Sequence, residues 1–494
     1  MIHSLTLSDV LADHARSRPQ AVAVVDGEVR LTYPELEARV TRLAAALAER
    51  GTGPGDRVLW LGQNSHAVLE LLLACSRLGA ICCPANWRQS TDELRFVLDD
   101  LAPRVVVWEP SDAVAPLVQA DGAWIRAGEE YEALLASGSL RAFDQVADTE
   151  PVLALYTAAF DGRPNAALLS SAALLAHATS LQIVRRMEPD FAFLASGPLF
   201  HVGTTMFALA TFHLGGKNVF MPAFDAEELC RLVDAEKVTQ AFLFGQMIDA
   251  VVAANAGGKY DLSSMRFISH SAEWDAMTTV DDSPWCRSKM GGYGQTEVGG
   301  MLTFLGLAPG GSGYAGRPSP LVQVRIIGPG GVEVPPGEVG EICARGKTLF
   351  SGYFARPELN AAKSADGWHH TGDLGKREPD GTITFIGPKL RMIKSGNENI
   401  YPAEVERALK AHPAVADAAV IGVPDDTWHQ AVLAVVALKG EATGEELIEH
   451  AKGLLASYKK PKRVVFVDAV PKKGFTPDYD ALDAAHGGGN YPGT

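Results

Sequence analysis

The chain has 494 residues, of which 47% are hydrophobic, and its formal charge is −15 at pH 7. This length exceeds what one hydrophobic core usually organises, so we expect two or more domains. The acidic balance disfavours a general attraction to nucleic acid or to an anionic membrane surface. We expect a cytoplasmic protein without a secretory leader or a membrane span, because long apolar segments do not occur. The six cysteines lack metal-ligand spacing and are interpreted as buried thiols, with a redox pair at Cys82 and Cys83 as the alternative.

The first half of the chain alternates helix and strand signals. Thr32 as an N-cap, Glu35 three residues later and Gly51 as a stop signal predict one helix. The run DRVLWLG then predicts a buried strand, and HAVLELLLACSRLGA predicts a helix packed against it. Further on, AFLASGPLF, KNVFMPAF and TQAFLFG predict strands, and AEELCRLVDAEKV predicts a helix. Such alternation predicts an α/β fold with parallel strands and crossover helices.

The composition changes around Gly313. The segment VQVRIIGPGGVEVPPGEVGEICARG is rich in glycine and proline, and it predicts a small barrel or a meander of antiparallel strands. After GTITFIG, the segment from AEVERALKAHP to RVVFVDAVPKK predicts a compact α+β unit. We therefore place a domain boundary near Gly387, which divides the chain into domains 1–387 and 388–494.

Three motifs and one loop carry residue types suited to nucleotide chemistry. GGYGQTEVGG, GWHHTGDLG and SGNENIYPAEVE occur in this order, and YTAAFDGRPN follows a predicted strand as a phosphate loop would. Together they resemble the adenylate-forming enzymes, a family that includes acyl-CoA ligases, aryl-CoA ligases and firefly luciferase. The resemblance implies a large N-terminal domain of two α/β layers plus a β-barrel, and a small mobile α+β C-terminal domain. It also implies two reactions: a carboxylate and ATP give acyl-AMP and pyrophosphate, and then the CoA thiol displaces AMP.

The resemblance implies that YGQTE holds the adenylate. Tyr293 would lie beside adenine, next to Gly294 and Gln295, while the Thr296 hydroxyl would reach the α-phosphate. Glu297 would offer an oxygen to Mg²⁺, and a glycine turn with a solvated glutamate is the alternative.

Two other segments would complete the adenylate site. Asp373 matches the family's ribose-binding carboxylate, which accepts from both ribose hydroxyls; a helix cap is the alternative. In SHSAEWD, the resemblance implies that Ser271, Ala272 and Glu273 line the adenine. The family usually has proline at the position of Glu273, so this segment departs from the pattern.

The resemblance also assigns residues to the binding of CoA and of the acyl group. His201 matches the family's aromatic position between the acyl pocket and the pantetheine tunnel, so it is the candidate catalytic residue; a structural histidine is the alternative. Gly396 and Asn397 align with two glycines that let pantetheine pass the backbone. The basic segment YKKPKR either meets CoA phosphates or is a solvated face. The acyl pocket is assigned to Phe200, Phe244, Gly245 and Gly292. The small residue at position 245 favours a bulky acyl group.

The phosphate loop departs from the family's Y-T-S-G-T-T-G-R-P-K-G. Ala158, Ala159, Phe160 and Asp161 replace Ser, Gly, Thr and Thr, and Asn165 replaces the lysine. That loop normally grips the β- and γ-phosphates with amides, hydroxyls and a cation. The acidic replacement adds a like charge, which at about 4 Å and an effective dielectric of about 20 costs roughly 4 kcal/mol before screening. We expect ATP binding in a productive pose to be impaired.

The C-terminal domain shows a second departure. By ungapped count, Pro477 stands at the family's adenylation lysine, and proline cannot donate to a carboxylate or phosphate. Lys472 or Lys473 could replace that lysine after a shift of the loop. Pro388 and Leu390 replace the charged residues that are usual at the domain hinge.

The sequence therefore predicts a non-adenylating acyl-CoA ligase that transfers the acyl group of a preformed acyl-AMP to CoA. A separate adenylating ligase would supply the acyl-AMP, and Mg²⁺ would be dispensable. The losses are similar to those of non-adenylating ligases in diterpenoid antibiotic biosynthesis, which implies diterpenoid acids as substrates. The alternatives are a complete ATP-dependent ligase that uses Lys472 or Lys473, and a non-catalytic protein that binds acyl-adenylates or fatty acids.

Overall fold

The protein is described by a computed structural model. It describes residues 2–120, 122–157, 164–283, 286, 291–328, 330–364, 366–389, 391–396, 398–473, 476–489 and 491. The α-helices of these residues are α1 Leu7–Ser17, α2 Tyr33–Glu49, α3 His66–Leu78, α4 Thr91–Leu101, α5 Glu129–Ser137, α6 Ser171–Arg185, α7 Val202–Leu214, α8 Ala226–Glu236, α9 Gly245–Ala254, α10 Ala272–Met277, α11 Pro357–Lys363, α12 Pro402–Lys410, α13 Gly444–Leu454 and α14 Tyr479–His486.

The strands before residue 300 are β1 Val22–Asp26, β2 Val29–Thr32, β3 Arg57–Leu61, β4 Ile81–Pro84, β5 Val105–Trp108, β6 Trp124–Arg126, β7 Pro151–Thr157, β8 Asn165–Ser170, β9 Ala192–Ala195, β10 Lys217–Phe220, β11 Gln240–Ala241, β12 Arg266–Phe267, β13 Thr279–Val280 and β14 Gly294–Gln295. The later strands are β15 Gly300–Met301, β16 Thr303–Phe304, β17 Arg317–Pro318, β18 Val322–Ile327, β19 Val339–Gly346, β20 His369–Arg377, β21 Ile383–Pro388, β22 Ile393–Ser395, β23 Glu398–Ile400, β24 Val415–Asp425, β25 His429–Leu438, β26 Arg463–Val467, β27 Lys472–Lys473 and β28 Thr476–Pro477.

Two largely parallel sheets organise the large N-terminal domain. One sheet has the order β6-β5-β3-β4-β7-β8, and the other has the order β11-β9-β10-β1-β2. Strands β3, β4, β5, β6 and β7 pair in parallel, as do β1, β10, β9 and β11. The predicted α/β fold with crossover helices is therefore confirmed.

Local signals behave as predicted in this domain. Thr32 caps α2, and its backbone and hydroxyl donate to Glu35 at 2.8 and 2.7 Å, which completes the capping box. Helix α3 ends at Gly79 in the left-handed conformation. Large side chains from both sheets and from these helices form the core, including Leu43, Leu71 and Phe207. Apolar burial against the sheets holds these helices in place.

An antiparallel meander, β18-β19-β20-β21, follows the two sheets. The described residues form the predicted antiparallel meander of four strands, and a bridge between Gly316 and Ile383 links the residue before β17 to its last strand. The C-terminal unit has the sheet β23-β22-β25-β24, to which β26 adds in parallel next to β25. Strand β21 ends at Pro388 and β22 begins at Ile393, so the predicted boundary near residue 387 lies at the end of β21.

One local prediction needs correction, and the prediction of buried cysteine thiols is confirmed. TQAFLFG was expected to form a strand, but only Gln240–Ala241 is extended and α9 begins at Gly245. A short apolar run can belong to a buried strand or to a buried helix, and hydrophobic periodicity does not distinguish these two possibilities over so few residues. Each of the six cysteines is a buried free thiol, including Cys82 and Cys83. Among the described helices, none has the length and apolar character needed to cross a bilayer.

Candidate active site

The first group of site residues surrounds Asp373 on β20. The Tyr293 hydroxyl donates to Asp373 Oδ2 at 2.6 Å, and Gln295 Nε2 donates to the same oxygen at 3.2 Å. The Tyr293 ring stacks on Phe385 with centroids 5.1 Å apart. Burial raises the pKa of the Asp373 carboxyl above its ordinary value. Residues 80 positions apart are thus joined in one rigid network, with the carboxylate fixed in direction.

A histidine that the sequence analysis did not single out extends this network. His369 Nε2 lies 2.9 Å from Gln295 Oε1. Burial lowers the pKa of His369 to about 3, so its ring is neutral and Nε2 carries the donated proton. Gln295 therefore accepts from His369 through its oxygen and donates to Asp373 through its nitrogen. The only sequence signal was the doubled histidine directly before the TGD motif.

The turn Thr296–Val298 follows Gln295 as a short 3₁₀ helix. The Tyr353 hydroxyl donates to Glu297 Oε1 at 2.8 Å, and burial raises the pKa of the Glu297 carboxyl. Among the residues that the structure describes, no group of three or more acidic, histidine or cysteine side chains could hold a metal ion. Glu297 could supply one oxygen to a nucleotide-borne Mg²⁺, which takes most of its ligands from phosphates and water.

Two predicted glycines are required by close backbone packing. A Cβ on Gly292 would lie 2.0 Å from the Thr303 carbonyl oxygen, and one on Gly294 would lie 2.0 Å from that of Gly300. Gly294 pairs with Met301 across β14 and β15. These glycines therefore let the YGQTE turn lie directly against the neighbouring strand.

The SHSAEWD segment begins helix α10. The Ser271 hydroxyl accepts from the Trp274 backbone N–H at 3.2 Å, so Ser271 is the N-cap. Ala272 and Glu273 are the first two helical residues. The Trp274 ring is buried against Phe267, with centroids 5.3 Å apart. Trp274 is therefore a core residue, and the assignment of residues 271–273 to adenine stays a prediction.

His201 stands at the N-terminus of α7. Its Nδ1 accepts from the Gly203 backbone N–H at 3.0 Å, and its ring lies 6.4 Å from that of Phe242. The Phe242 ring in turn meets Phe244 edge-on at 4.8 Å. The ring retains exposed surface although protein atoms enclose it, and this enclosure lowers the pKa of His201. Phe242 thus neighbours both His201 and the predicted pocket residue Phe244.

The β22–β23 hairpin of the C-terminal domain faces this region. Gly396 lies in the turn of that hairpin at a φ of +59°, and its N–H donates to the Trp428 carbonyl at 2.7 Å. A Cβ at position 396 would lie 3.0 Å from the Trp428 ring. Gly245 lies at the start of α9, and the space beside it is open. A Cβ added at this position would come no closer to another residue than 3.8 Å, the distance to His270 Cε1. Asn397 lies outside the described residues.

The polyphosphate side of the site is different in character. Ala158, Ala159, Phe160 and Asp161 lie outside the described residues. Asn165, which replaces the family's lysine, is only 1% exposed, and its Oδ1 accepts from Arg356 Nε at 3.0 Å. Arg356 also forms an ion pair with Asp100. The Asn165 amide oxygen is therefore engaged by an internal contact.

The C-terminal hairpin β27–β28 places Pro477 opposite Lys472. Lys472 Nζ lies 2.8 Å from Asp417 Oδ2, and Lys410 Nζ lies 2.9 Å from Asp417 Oδ1. In this structure Lys472 thus forms an ion pair within its own domain. The side chain of Lys473 and residue Leu390 lie outside the described set. Pro388 ends β21 and pairs in register with Asp373.

Comparisons with known proteins agree with this architecture. Residues 11–354 match the family profile described as AMP-binding enzyme, and residues 404–474 match the AMP-binding enzyme C-terminal domain. The chain is 37% identical to a feruloyl-CoA synthase of an Amycolatopsis species, over 93% of this chain and 94% of that protein. It is 35% identical to the indoleacetate–CoA ligase of Aromatoleum aromaticum, over 95% of each. These relatives define the class as acyl-CoA ligases, and the chain belongs to the AMP-binding enzyme family.

Solved structures show the same fold. A double mutant of the o-succinylbenzoate CoA synthetase of Bacillus subtilis, bound to its product analogue OSB-NCoA, matches with a TM-score of 0.80 and 24% identity, over 94% of this chain and 95% of that one. The same synthetase with the acyl-adenylate OSB-AMP matches with a TM-score of 0.64 over the same shares. The two-domain fold of a large N-terminal and a smaller C-terminal domain is confirmed.

Proposed function

We propose that this protein forms acyl-CoA thioesters from a preformed acyl-AMP and CoA, and that it does not adenylate the acid itself. The observation that carries the proposal is that Pro477 stands, by ungapped count, where the family has its adenylation lysine. The nearest described lysine side chain on that hairpin, Lys472, is ion-paired to Asp417 at 2.8 Å. The contacts around Asp373 support retention of the nucleoside site.

In the proposed reaction the CoA sulfur attacks the acyl carbonyl carbon. The S–C bond forms, the bond from that carbon to the phosphate oxygen breaks, and AMP leaves with the electron pair. The thiol proton passes to solvent, since a thiol of pKa about 8.5 is partly ionised near neutral pH. Asp373 would hold the ribose and Thr296 the α-phosphate, so the protein mainly supplies orientation.

The hydrogen bond of His201 defines its part in this step. Its Nδ1 accepts from the Gly203 N–H, and its pKa is lowered by enclosure in the protein, so the neutral ring carries its proton on Nε2. An Nε2–H group is a donor. We therefore assign His201 the role of donating to the acyl carbonyl oxygen as negative charge develops there, instead of removing the thiol proton.

The proposed substrates are adenylates of bulky, largely apolar carboxylic acids. Phe242 and Phe244 provide aromatic surface, and Gly245 leaves space beside them. Diterpenoid acids of antibiotic biosynthesis are the leading class. Aromatic acids are the comparison class, because the relatives include a feruloyl-CoA synthase and an indoleacetate–CoA ligase. A separate adenylating ligase is the proposed source of the acyl-AMP.

Two parallel assays test this function. The first supplies feruloyl-AMP, indoleacetyl-AMP or a diterpenoid acyl-AMP together with CoA and follows thioester formation. The second supplies the free acids with ATP and Mg²⁺ and follows pyrophosphate release. We expect thioester in the first assay and only background release in the second. Robust pyrophosphate release would instead identify a complete ATP-dependent ligase, the alternative that the ligase relatives favour. If neither assay gave product, the remaining alternative would be a non-catalytic protein that binds acyl-adenylates or fatty acids.

A further inference from the structure

Residues 88–93, here called the docking edge, comprise the end of the connection from β4 to α4 and the first three residues of α4 in the N-terminal domain. Ser90 is the N-cap of α4, and Glu93 closes its capping box. Glu93 Oε2 accepts from the Ser90 backbone N–H at 3.0 Å and from the Ser90 hydroxyl at 3.1 Å. The capping box therefore uses one carboxylate oxygen and leaves Oε1 directed to a different partner.

That partner comes from the C-terminal domain. Lys459 Nζ lies 2.8 Å from Glu93 Oε1 and 2.6 Å from Glu404 Oε1. The three side chains are only 7%, 10% and 3% exposed, respectively. Burial opposes the charge on Lys459, but the facing carboxylates hold its pKa above the ordinary value. The YKKPKR segment was expected to meet CoA phosphates or solvent, but its first lysine instead joins the two domains.

Two further contacts use the same edge. Ser90 Oγ also lies 3.0 Å from the carbonyl oxygen of Leu454 in α13, which is a second acceptor, beside Glu93 Oε2, for its single proton. Arg88 Nη1 lies 3.0 Å from Oε1 of Glu398, the first residue of β23. The Arg88 guanidinium also stacks over the rings of Phe200 at 5.2 Å and Tyr458 at 5.5 Å. Because Phe200 directly precedes His201, the docking edge connects the β22–β23 hairpin to the entrance of the acyl-transfer region.

We propose that the docking edge fixes the C-terminal domain in the orientation that presents the β22–β23 hairpin to His201, and that Glu93 and Arg88 are positioning residues for acyl transfer. Neither residue touches the reacting atoms. The kinetic part of this inference rests on the proposed function, whereas the domain orientation can be measured without any reaction. A buried, hydrogen-bonded charge pair favours one docked arrangement because any other packing of the same two surfaces would bury Glu93 without its partner Lys459.

Glu93→Gln is the test variant. Glutamine at this helical position still closes a capping box, and Lys459 keeps Glu404, so the change removes mainly the charge between the domains. Glu132→Gln is the matched control, because it removes a partly exposed partner of Arg39 within the N-terminal domain. Glu398→Gln removes the Arg88 pair and provides a second, independent perturbation of the same interface.

Domain orientation is measured on the full chain by spin-label distances between cysteines introduced at Ile183 and Glu449. These side chains are well exposed, whereas the native cysteines are buried. We expect Glu93→Gln to lower the ratio of docked to undocked populations about tenfold, in line with loss of one charged contact. With feruloyl-AMP or another accepted acyl-AMP and CoA, kcat should fall about five- to tenfold while the KM for acyl-AMP stays within twofold. Glu132→Gln should change neither quantity.

A folded Glu93→Gln protein with an unchanged distance distribution overturns the inference, whatever its turnover. A shifted distribution with unchanged kcat overturns the positioning role of Glu93. A wild-type protein that forms no thioester refutes the proposed function and with it the positioning role. In that case the distance measurement still decides whether the docking edge sets the domain orientation.

Discussion

The nucleoside side and the polyphosphate side of the site differ in how their polar groups are used. Around Asp373, donors from Tyr293 and Gln295 converge on one oxygen and fix the carboxylate in place. On the other side, Asn165 bonds to Arg356, and Lys472 pairs with Asp417. Under the proposed function, the first arrangement would orient Asp373 for a ribose, whereas the second directs polar groups into the protein itself. We propose that the site keeps its affinity for an adenylate while lacking the means to hold a triphosphate.

The largest expected effect comes from repairing the polyphosphate side. Pro477→Lys combined with Asp161→Thr and Asn165→Lys should raise acid-dependent ATP–pyrophosphate exchange from background to a measurable rate. The combination restores the adenylation lysine, a hydroxyl in the phosphate loop and a cation at position 165. The lysine at position 165 would stand beside Arg356, and the negative charge of the bound phosphates would offset the repulsion between these two cations. The control carries Pro477→Met in place of the lysine and should stay at background. A folded triple variant that remains inert with ATP would contradict the comparison.

The converse change weakens the nucleoside side. Asp373→Asn keeps the size of the side chain but loses the charge that strengthens its ribose hydrogen bonds. We expect kcat/KM for acyl-AMP to fall about 10- to 100-fold, as for loss of charge-assisted hydrogen bonds. Thioester formation from limiting acyl-AMP measures this effect. Asp380→Asn, in a turn of the same meander, is the control; equal losses in both variants would refute the assigned role of Asp373.

Acid should destabilise the support of the nucleoside side through His177. Its buried Nε2 accepts from the Met301 N–H at 2.8 Å, which ties β15 to α6, and burial lowers the pKa of His177 to about 4. Above pH 6.5 neither state binds the proton. Between pH 6.5 and about 4 the unfolded chain binds it and the folded chain does not, so stability falls as pH falls. At pH 5 the loss is about 2 kcal/mol.

Urea unfolding of the N-terminal domain at pH 7 and pH 5 measures this contribution. The pH-dependent part of the unfolding free energy should shrink in His177→Gln by about the stated amount, and it should persist in the control His3→Gln, whose side chain is exposed. An equal pH dependence in wild type and His177→Gln would show that this histidine is not a buried neutral acceptor.

The smallest effect is expected at Lys472. Because its ammonium pairs with Asp417 on a partly exposed surface, Lys472→Ala should change thioester formation from acyl-AMP by less than about twofold. Lys410→Ala, which removes the other partner of Asp417, is the matched control. A large loss of ATP-dependent activity in Lys472→Ala alone would instead identify this lysine as the substitute adenylation residue.

Local sequence signals predicted the elements that depend on neighbours in the chain. The capping box of Thr32 and Glu35 is an example, since its partners lie three residues apart. The resemblance of motifs indicated that Tyr293 and Asp373 belong to one site, and the structure joins them by a hydrogen bond. A short apolar run did not reveal that β11 stops at Ala241. Periodicity carries little information over so few residues.

Contacts between distant segments were beyond the sequence analysis. Asn165 meets Arg356 across 191 positions, and Lys459 meets Glu93 across 366. Such pairs depend on how separate layers and domains are packed, which composition and spacing do not encode. The same holds for His369 and Gln295, whose partnership needs β20 to pass beside β14. These are also the contacts from which the proposed roles of the two sides and of the docking edge derive.

Calorimetric titration of the wild-type protein compares its affinity for an acyl-adenylate with its affinity for ATP. One titrant is a non-hydrolysable acyl-sulfamoyl adenosine that mimics acyl-AMP, and the other is ATP with Mg²⁺ and the matching free acid. We expect the acyl-adenylate mimic to bind at least about 100-fold more tightly than ATP, and AMP and ATP to bind alike, because the β- and γ-phosphates would make few contacts with the protein. ATP that binds much more tightly than AMP, with Mg²⁺-dependent affinity, would contradict this expectation.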